Sequence, residues 1–423
     1  MLTPARSKRK SVMRPSMSDT PAPSRAAFGF IFVSAVTTAL SFGLMIPILP
    51  ALVKSFTGGD AASASEWIVV FSTLGGAMSL FAGPVLGLVS DRVGRRPVLL
   101  ISLCGLGVDF LLMAFAPNLM WLLVGRLISG ATSGAFSIAN AYVADITPPQ
   151  DRARAFGWMG SAFSFGFLAG PALGGLLGGI DLRLPFLAAA GLTLANVLYG
   201  FFVLPESLLP ERRVPSLEWK KANPLGSLVL LRSQRQLFGL AGIHFLNQLA
   251  NFVWPAIFVL YTSERYGWSP VTTGLYMMAG GVMGIVVQST LVGPTVGRFG
   301  ERGALLIGAA ASVIAMTWYG FASTGWLYAV GMPISSLSGL MAAGLQGMMT
   351  RLVGPSEQGQ LQGANQALTG LSSLVGPSLF GLSFAWALRA HLSPGLPLFL
   401  AAAAMLGALI LALRVAPKPV PAS

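Results

Sequence analysis

Long apolar runs are the feature of this sequence that most restricts its fold. They recur along all 423 residues with short polar or charged breaks between them, and each is close to the roughly 20 apolar residues with which a helix crosses a bilayer. The chain is 54% hydrophobic and has a mean hydropathy of +0.71, which is too apolar for an ordinary soluble protein. We therefore predict an all-α membrane protein with twelve transmembrane helices, numbered as spans 1 to 12. The predicted spans are 28–53, 67–89, 97–116, 119–143, 155–179, 184–204, 237–261, 270–292, 303–321, 326–349, 361–386 and 395–414.

Basic residues are distributed unevenly over the predicted loops. With both chain ends inside, 22 of the 27 Lys and Arg fall in the termini or inner loops, and Arg126 lies within a span. Lys54, Arg183, Arg265 and Arg389 are the four that fall in outer loops. This is the positive-inside distribution, which predicts that both termini are cytoplasmic. The net charge of +13 therefore reports orientation and requires neither a nucleic acid nor another acidic partner.

The two halves of the chain repeat one plan. Residues 145–175 align with residues 351–381 at a constant offset of 206, which superposes a Gly-Pro pair in each. Six spans per repeat keep each span parallel to its counterpart, as in transporters that bind a ligand between two bundles and rock them. The predicted segments are a basic cytoplasmic N-terminal tail (1–27), an N-terminal six-helix bundle (28–204), a cytoplasmic central linker (205–236), a C-terminal six-helix bundle (237–414) and a cytoplasmic tail (415–423).

A charged run, GLVSDRVGRRPVL (87–99), lies at the predicted inner turn between spans 2 and 3. A topology signal explains arginines in an inner loop, but it leaves the aspartate and the two glycines at fixed spacing unexplained. Asp91 can cap a helix or pair with Arg95, and Gly94 permits a tight turn. We predict that Asp91 and Arg95 hold the cytoplasmic side closed when the cavity faces outward. The candidate gating residues here are Gly87, Asp91, Arg92, Gly94, Arg95 and Arg96.

Three motifs in order resemble those of the major facilitator superfamily of secondary transporters. G-x-x-x-D-R-x-G-R-R (87–96) resembles its signature loop, and GRLISG (125–130) resembles its span 4 motif with an intramembrane arginine. GFLAGPALGG (166–175) is similar to the span 5 motif of drug:proton antiporters. Over essentially the whole chain, in phrases such as MIPILP (45–50) and QGQLQG (358–363), the sequence resembles the bacterial tetracycline-efflux group most.

The resemblance implies a proton-coupled antiporter of the major facilitator fold that exports an amphipathic drug, with tetracycline as a candidate. The implied location is a bacterial cytoplasmic (inner) membrane, and the implied coupling ion is H+, with no cofactor and no metal. Partners would be the small amphipathic substrate and the lipid bilayer, without nucleic acid or an obligate protein partner. Acidic residues of the tetracycline group in spans 1 and 9 are replaced by Thr38 and Ser312, which leaves the drug and the proton stoichiometry open.

The sequence also bears on functions other than proton-coupled drug export. Proton-coupled uptake or export of another small organic solute is the alternative, since the two-bundle plan permits both directions. An enzyme or an ATP-driven pump is not expected, because the sequence lacks H-E-x-x-H, G-x-S-x-G, C-x-x-C and G-x-x-x-x-G-K-[ST]. Cys104 is the only cysteine, which excludes an intrachain disulfide. A receptor or scaffold on a transporter fold would not need a charge pair inside its spans.

Asp109 and Arg126 are ionisable groups inside predicted spans 3 and 4. Each lies about seven residues from the outer end of its span, which corresponds to roughly 10 Å of helix. Equal depth on consecutive helices predicts an ion pair. Protonation of Asp109 would release Arg126 and change which bundle arrangement is favoured, so the pair is a candidate for proton coupling. A static pair that orients two helices is the alternative.

Two polar stripes on otherwise apolar spans predict a wet cavity between the bundles. The span 4 stripe begins at Arg126 and Gly130 and has spacings of 4, 3, 4 and 3, which place it on one helix face. The other stripe lies on span 7, with span 10 completing the cavity; interhelical hydrogen bonding is the alternative for its amides. His244 can also assist proton transfer, because histidine titrates near neutral pH. The candidate substrate-binding residues are Ser133, Ser137, Asn140, His244, Asn247, Gln248, Asn251, Trp254 and Gln346.

Glycines recur every four residues in span 5 and form a face for close helix packing. We predict that this face seals one bundle against the other and that Pro171 interrupts and hinges the helix. In the second half, GRFGER (297–302) is a degenerate copy of the charged run that has lost its aspartate, which suggests unequal gates. The candidate gating residues of span 5 are Gly166, Gly170, Pro171, Gly174 and Gly175.

Overall fold

Twelve helices in the part of the chain that the computed structural model describes are long and apolar enough to cross a membrane, which confirms the predicted number. The structure describes residues 25–215, 226–354 and 357–415, so most of the two predicted tails and the middle of the predicted linker lie outside the described residues. Within those ranges the regular structure is helical. The observed spans 1 to 12 are Ala27–Phe56, Ala61–Val93, Arg95–Phe115, Leu119–Ile146, Arg154–Ile180, Leu184–Val203, Arg235–Tyr266, Pro270–Thr290, Val292–Phe321, Gly325–Arg351, Gln358–Arg389 and Leu396–Val415.

Spans 1, 4, 7 and 10 are each interrupted near the middle. Pro47 lies in the break of span 1 and Gly134 in that of span 4, and proline lacks the amide hydrogen that a helix turn needs. In transporters, broken helices bring backbone polar groups to a central cavity. The helices are Arg25–Met45 and Leu49–Phe56 in span 1, Leu119–Ala131 and Ala135–Ile146 in span 4, Arg235–Asn251 and Val253–Tyr266 in span 7, and Gly325–Val330, Met332–Ser336 and Gly339–Arg351 in span 10.

The repeat at an offset of 206 residues extends to local geometry. Asn118 caps the start of span 4, and its counterpart Thr324 caps the start of span 10, each by accepting backbone amide hydrogen bonds. Gly94 and Gly300 are also counterparts, and both have a positive φ, of 122° and 70°. The kink at Gly300 lies inside the observed span 9, which therefore begins well before its predicted start. The two six-helix halves share one backbone plan.

Prolines inside spans 5 and 11 do not interrupt them. Pro171 lies within the continuous helix Arg152–Ile180, and Pro377 lies within Gln358–Arg389. Membrane helices tolerate internal proline because neighbouring groups satisfy the freed backbone carbonyl. The predicted interruption of span 5 at Pro171 was therefore wrong.

The two halves meet through spans 2 and 11 and through spans 5 and 8. We call the end where span 1 begins the inner end, following the charge bias, and the opposite end the outer end. Near the outer end the Ser65 hydroxyl of span 2 donates to the Gly381 carbonyl oxygen of span 11 at 2.9 Å. Toward the inner end, a Cβ built on Gly83, Gly87 or Gly284 would meet no heavy atom within 4 Å. The halves are closed against each other at the outer end and leave open space at these inner positions.

Candidate functional site

Asp109 and Arg126 form an ion pair inside the first half. The Nη2 group of Arg126 donates to Oδ2 of Asp109, and the exposed fraction is 0% for Asp109 and 12% for the Arg126 side chain. Asp109 Oδ1 and Arg126 Nε have no hydrogen-bond partner among the described residues. A Cβ on Gly125 would lie 2.6 Å from Oδ1, so glycine at this position lets span 4 approach the carboxylate. Neutralising one member of such a pair leaves the other charge buried and unpaired, which is costly.

A cavity of about 530 Å³ lies beside this pair, almost wholly within the first half. Arg126 is the one charged group among the described residues that line it. The lining also contains hydroxyls such as those of Ser129 and Ser133, aromatic rings such as that of Phe136, and Pro255 from the second half. Apolar walls with a few polar groups that fix orientation are typical of sites for small organic molecules.

The predicted polar stripe of span 4 is divided by the break in that span. Three of its members line the cavity, namely Arg126, Gly130 and Ser133. The other two, Ser137 and Asn140, lie on the inner helix of the span and outside the lining of this cavity. The stripe therefore runs over two helices rather than one, because the spacing of polar residues carries no information on where a helix breaks. Substrate binding by Ser137 and Asn140 stays a prediction.

The polar residues of span 7 bond to one another and to span 11. The Nδ2 group of Asn251 donates to the Asn247 carbonyl oxygen at 2.8 Å. Gln248 Nε2 donates to Thr369 Oγ1 of span 11 at 3.1 Å. These contacts favour the interhelical alternative for Gln248, and none of the predicted residues of spans 7 and 10 belongs to the lining of the cavity.

His244 and Gln346 meet around Asn365 of span 11. Gln346 Oε1 accepts from Asn365 Nδ2 at 3.5 Å, and His244 lies beside the Asn365 backbone. His244 Nε2 and Asn365 Oδ1 are buried and lack hydrogen-bond partners within the described part of the chain. Trp254 packs edge-on against Tyr319, with ring centroids 5.4 Å apart. Binding of substrate by His244, Gln346 and Trp254 stays a prediction.

The two positions that lack the acidic residues of the tetracycline group have different surroundings. Thr38 belongs to the cavity lining. Ser312 is buried, and its hydroxyl donates to the Gly308 carbonyl oxygen of its own helix at 2.9 Å. The missing carboxylate of span 1 would therefore have faced the cavity, whereas that of span 9 would have been buried in the second half.

The charged run between spans 2 and 3 forms an ion-pair network with span 4. Arg95 Nη1 lies 2.6 Å from Asp91 Oδ1, and Arg95 Nε lies 3.2 Å from Asp145 Oδ2. Arg95 Nη1 also donates to the Ser90 hydroxyl oxygen at 2.7 Å. These partners belong to the first half, so the network ties three spans of one half together while the outer ends are closed.

The remaining gating candidates of this loop differ in their surroundings. Arg92 is exposed, and a Cβ on Gly87 would meet no heavy atom within 4 Å. The Arg96 guanidinium lies over the Phe201 ring, 5.9 Å from its centroid. A gating role for these residues stays a prediction.

The start of the linker docks on this loop, a contact that the sequence-based site did not include. Glu206 Oε1 accepts from the Arg95 backbone N–H at 2.8 Å and from the Leu208 N–H at 3.1 Å. A Cβ on Gly94 would lie 2.2 Å from Glu206 Oε2, so Gly94 supplies space for this carboxylate as well as its positive φ. An anion at a helix N-terminus is favourable because the first amide N–H groups are free. The sequence feature that could have indicated this contact is Glu206, the acidic residue of LPES (204–207).

The second half keeps an ion pair at the equivalent place with the charges exchanged. Arg351 Nη2 lies 2.9 Å from Glu301 Oε1, and these positions follow Arg95 and Asp145 by the repeat offset of 206. GRFGER (297–302), the copy of the charged run that lacks the aspartate, therefore keeps an ion pair with span 10.

The glycine face of span 5 packs on span 1 of the same half. A Cβ on Gly170 would lie 2.5 Å from Gly43 Cα, and one on Gly174 would lie 2.3 Å from the Leu44 carbonyl oxygen. Gly166 also meets span 1, with Ala39 Cβ at 2.6 Å. The predicted seal by this face against the other half was therefore wrong. A glycine face reports close approach, but it does not report which neighbour approaches.

The contact between spans 5 and 8 comes from an adjacent face. A Cβ on Gly175 would lie 2.5 Å from the Pro270 carbonyl oxygen, and one on Gly274 would lie 2.2 Å from the Pro171 carbonyl oxygen. Both contacts lie in the outer halves of the spans and allow the two bundles to approach backbone to backbone. Gly274 was missed because it stands alone, without the regular spacing that marks span 5.

Two ion pairs join the halves at the outer end. Lys54 of span 1 pairs with Glu264 of span 7, and Arg389 Nη2 of span 11 donates to Glu66 Oε2 of span 2 at 2.8 Å. The cation belongs to the first half in one pair and to the second half in the other. Lys54 and Arg389 are two of the four basic residues in predicted outer loops. Their unusual position was the sequence feature that could have indicated these ion pairs.

Comparison with known proteins agrees with this architecture. A family model described as Major Facilitator Superfamily matches residues 31–377 and 240–423. The tetracycline resistance protein, class C, of Escherichia coli is 39% identical over 339 residues, which cover 80% of this chain and 85% of that protein. The class G protein of Vibrio anguillarum is 37% identical over 343 residues, with coverage of 80% and 85%.

Solved structures share the fold at low sequence identity. The crystal structure of the nucleoside transporter NupG has a TM-score of 0.74 and 14% identity, and the match covers 93% of this chain and 100% of that chain. The human organic anion transporter MFSD10 (TETRAN) has a TM-score of 0.64 and 23% identity, with coverage of 93% and 100%.

Proposed function

Since this chain belongs to the major facilitator superfamily and is a membrane transporter, we propose that it exports an amphipathic drug in exchange for protons. Tetracycline is the first candidate, because relatives at 39% and 37% identity are named for resistance to it. Thr38 and Ser312 stand where the tetracycline group carries acidic residues, so the tests include other amphipathic drugs. The chain is a multi-pass inner-membrane protein rather than an enzyme.

The buried Asp109–Arg126 pair carries the proposal of proton coupling. While Asp109 is ionised the pair is neutral as a whole, and Arg126 presents a compensated charge to the cavity. Protonation of Asp109 leaves the Arg126 charge without its partner, which repels any cationic group of a drug in the same cavity. A proton and such a drug then oppose each other's binding, and mutual opposition is what exchange requires.

The contacts between the halves support alternating access. Outer ion pairs and backbone contacts close the outer end, whereas a Cβ on Gly83, Gly87 or Gly284, nearer the inner end, would meet no heavy atom within 4 Å. This arrangement suits a state that loads drug from the cytoplasm. Export requires a second state in which the outer contacts are broken and the inner ends have closed.

Proton-coupled uptake is the second candidate, and one observation favours it. Arg126 is the one charged group among the described residues that line the cavity. An anionic solute would bind Arg126 best when Asp109 is protonated, so anion and proton would move in the same direction. Accumulation of the solute by intact cells, rather than by everted vesicles, would select this candidate.

Drug susceptibility and vesicle transport test the proposed function together. The chain is expressed in a bacterium that lacks its own pumps, and inhibitory concentrations are measured over a panel of tetracyclines and other amphipathic drugs. Everted vesicles should then accumulate at least one of these drugs when their lumen is acid, and they should release it when a protonophore is added. Accumulation that is insensitive to the protonophore would contradict proton-coupled export.

The outer ion pairs predict a charge-reversal phenotype. Glu264→Lys places two cations together at the outer end, so we expect slower export and a more open outer end. The exchanged pair, Lys54→Glu with Glu264→Lys, should recover most of the loss. Because these side chains are partly exposed, the coupling free energy should be only about 0.2–1 kcal/mol. A double-mutant cycle on the export rate measures it, and no recovery in the exchanged pair would contradict a gating contact.

The loop network predicts a transport defect without a topology defect. In Asp91→Asn, Arg95 loses a charged partner, but Asp145 and Ser90 still hold it, so stability should fall by only about 0.3–0.5 kcal/mol. We expect slower export in everted vesicles and unchanged accessibility of tags at both termini. Asp151→Asn, at an exposed carboxylate on the same side, is the matched control. Wild-type turnover in Asp91→Asn would reduce the loop to a topology signal.

A further inference from the structure

Asp109 is separated from the cavity through which a coupling proton would arrive. Its exposed fraction is 0%, Oδ2 accepts from Arg126, and Oδ1 is buried without a hydrogen-bond partner among the described residues. Arg126 does not pass a proton on, because its guanidinium stays protonated in proteins. A group that touches both the carboxylate and the cavity can therefore pass a proton between them.

Ser129 meets both conditions. It lies three residues after Arg126 and four after Gly125 on the helix Leu119–Ala131, which places all three on the helix face toward Asp109. Its hydroxyl is a neighbour of the Asp109 carboxylate, and it also lines the cavity of about 530 Å³. A hydroxyl group donates and accepts hydrogen bonds, so it can take a proton from one side while it gives one to the other.

We propose that Ser129 relays the coupling proton between the cavity and Oδ1 of Asp109. The proposal rests on the proposed function, in which Asp109 binds that proton. During loading, the O–H bond of Ser129 breaks while its proton forms a new O–H bond on Asp109 Oδ1. In the same step, Ser129 Oγ takes a proton from a hydronium ion in the cavity, which becomes water. One proton is transferred, Ser129 is unchanged, and unloading is the reverse.

The relay also gives the protonated state a place for its new hydrogen. Once the carboxylate carries a proton it becomes a donor, and the Ser129 hydroxyl beside it is an acceptor that leads to the cavity. Gly125 leaves no side chain between Oδ1 and span 4. The unpartnered oxygen of the ionised state is therefore the site where the proton is expected to bind.

Infrared spectroscopy after a pH jump tests the relay on the purified protein without any drug. The carboxylic-acid band of Asp109 is identified by its absence in Asp109→Asn. In Ser129→Ala this band should appear more slowly by roughly 10²-fold, the usual scale for loss of a proton-transfer group. Ser129→Thr keeps the hydroxyl and should restore a rate close to wild type. An unchanged rate in Ser129→Ala, or a rate in Ser129→Thr as slow as in Ser129→Ala, would overturn the relay.

A transport measurement separates a relay from a packing role, with tetracycline as the probe. Accumulation driven by a pH difference should fall much further in Ser129→Ala than drug–drug exchange at equal pH, because exchange needs no net proton transfer. An equal loss of both would assign Ser129 to packing and overturn the relay. If Asp109→Asn retains accumulation driven by the pH difference, the proposed function itself fails. If Asp109→Asn loses it and Ser129→Ala does not, only the relay fails.

Discussion

Replacing Asp109 with Asn is expected to abolish drug accumulation driven by a pH difference, with a loss of at least roughly 10²-fold in rate. Asn preserves the shape of the side chain but neither carries the charge that pairs with Arg126 nor accepts the coupling proton. Everted vesicles measure the loss directly, since an acid lumen should no longer drive accumulation. Undiminished accumulation would remove Asp109 from the coupling mechanism.

The stability of this variant needs its own control. Removing one member of a buried pair leaves the other charge uncompensated, at a cost of about 3–5 kcal/mol, and such a loss could by itself reduce the amount of folded protein. The double variant Asp109→Asn with Arg126→Gln removes both charges and should recover most of the thermal stability of the wild type. It should nevertheless remain uncoupled, which separates the loss of the proton site from the loss of the fold.

Gly274→Ala is expected to prevent full closure of the outer end and to reduce export strongly. A Cβ at this position would lie 2.2 Å from the Pro171 carbonyl oxygen, so spans 5 and 8 must separate to accommodate one methyl group. Overpacking of this kind costs about 1–3 kcal/mol, which displaces the equilibrium between outer-closed and outer-open states by roughly 5- to 150-fold. The inner-open state that loads drug should therefore become rare.

A distance measurement at the outer end checks this expectation. Cys104 is the only cysteine, so Cys104→Ser gives a background in which spin labels can be placed at Ser55 and Leu392, exposed residues at the outer ends of the two halves. The distance between the labels should increase in Gly274→Ala. Gly284→Ala on the same span is the matched control, because a Cβ there meets no heavy atom within 4 Å. An unchanged distance in Gly274→Ala would contradict the outer seal.

The spans and the buried charge pair could be predicted from the sequence because both depend only on the order of residues along the chain. Bilayer thickness sets the length of each apolar run, and depth along consecutive helices is enough to match Asp109 with Arg126. The repeat at an offset of 206 residues likewise needs only the order of residues, and it extends to the paired caps at Asn118 and Thr324.

Contacts between helices were harder to predict from the sequence, because they depend on which helices become neighbours in the fold. The glycines of span 5 indicated a close approach, but span 1 and span 8 were equally available partners until the packing was known. Span 4 is broken between Ala131 and Ala135, and Ser137 and Asn140 lie beyond the break and outside the cavity lining although their spacing matched the stripe. Glu206 and the outer ion pairs join residues that lie far apart in the sequence, so no local pattern marks them as partners.

The most direct measurement is the direction of proton movement that accompanies drug movement. The purified protein is reconstituted into vesicles with a pH-sensitive dye inside, and a tetracycline gradient is imposed without any initial pH difference. Protons should move against the drug in the wild type and should not move in Asp109→Asn. Movement of protons in the same direction as the drug, or drug movement without proton flux, would contradict drug–proton exchange.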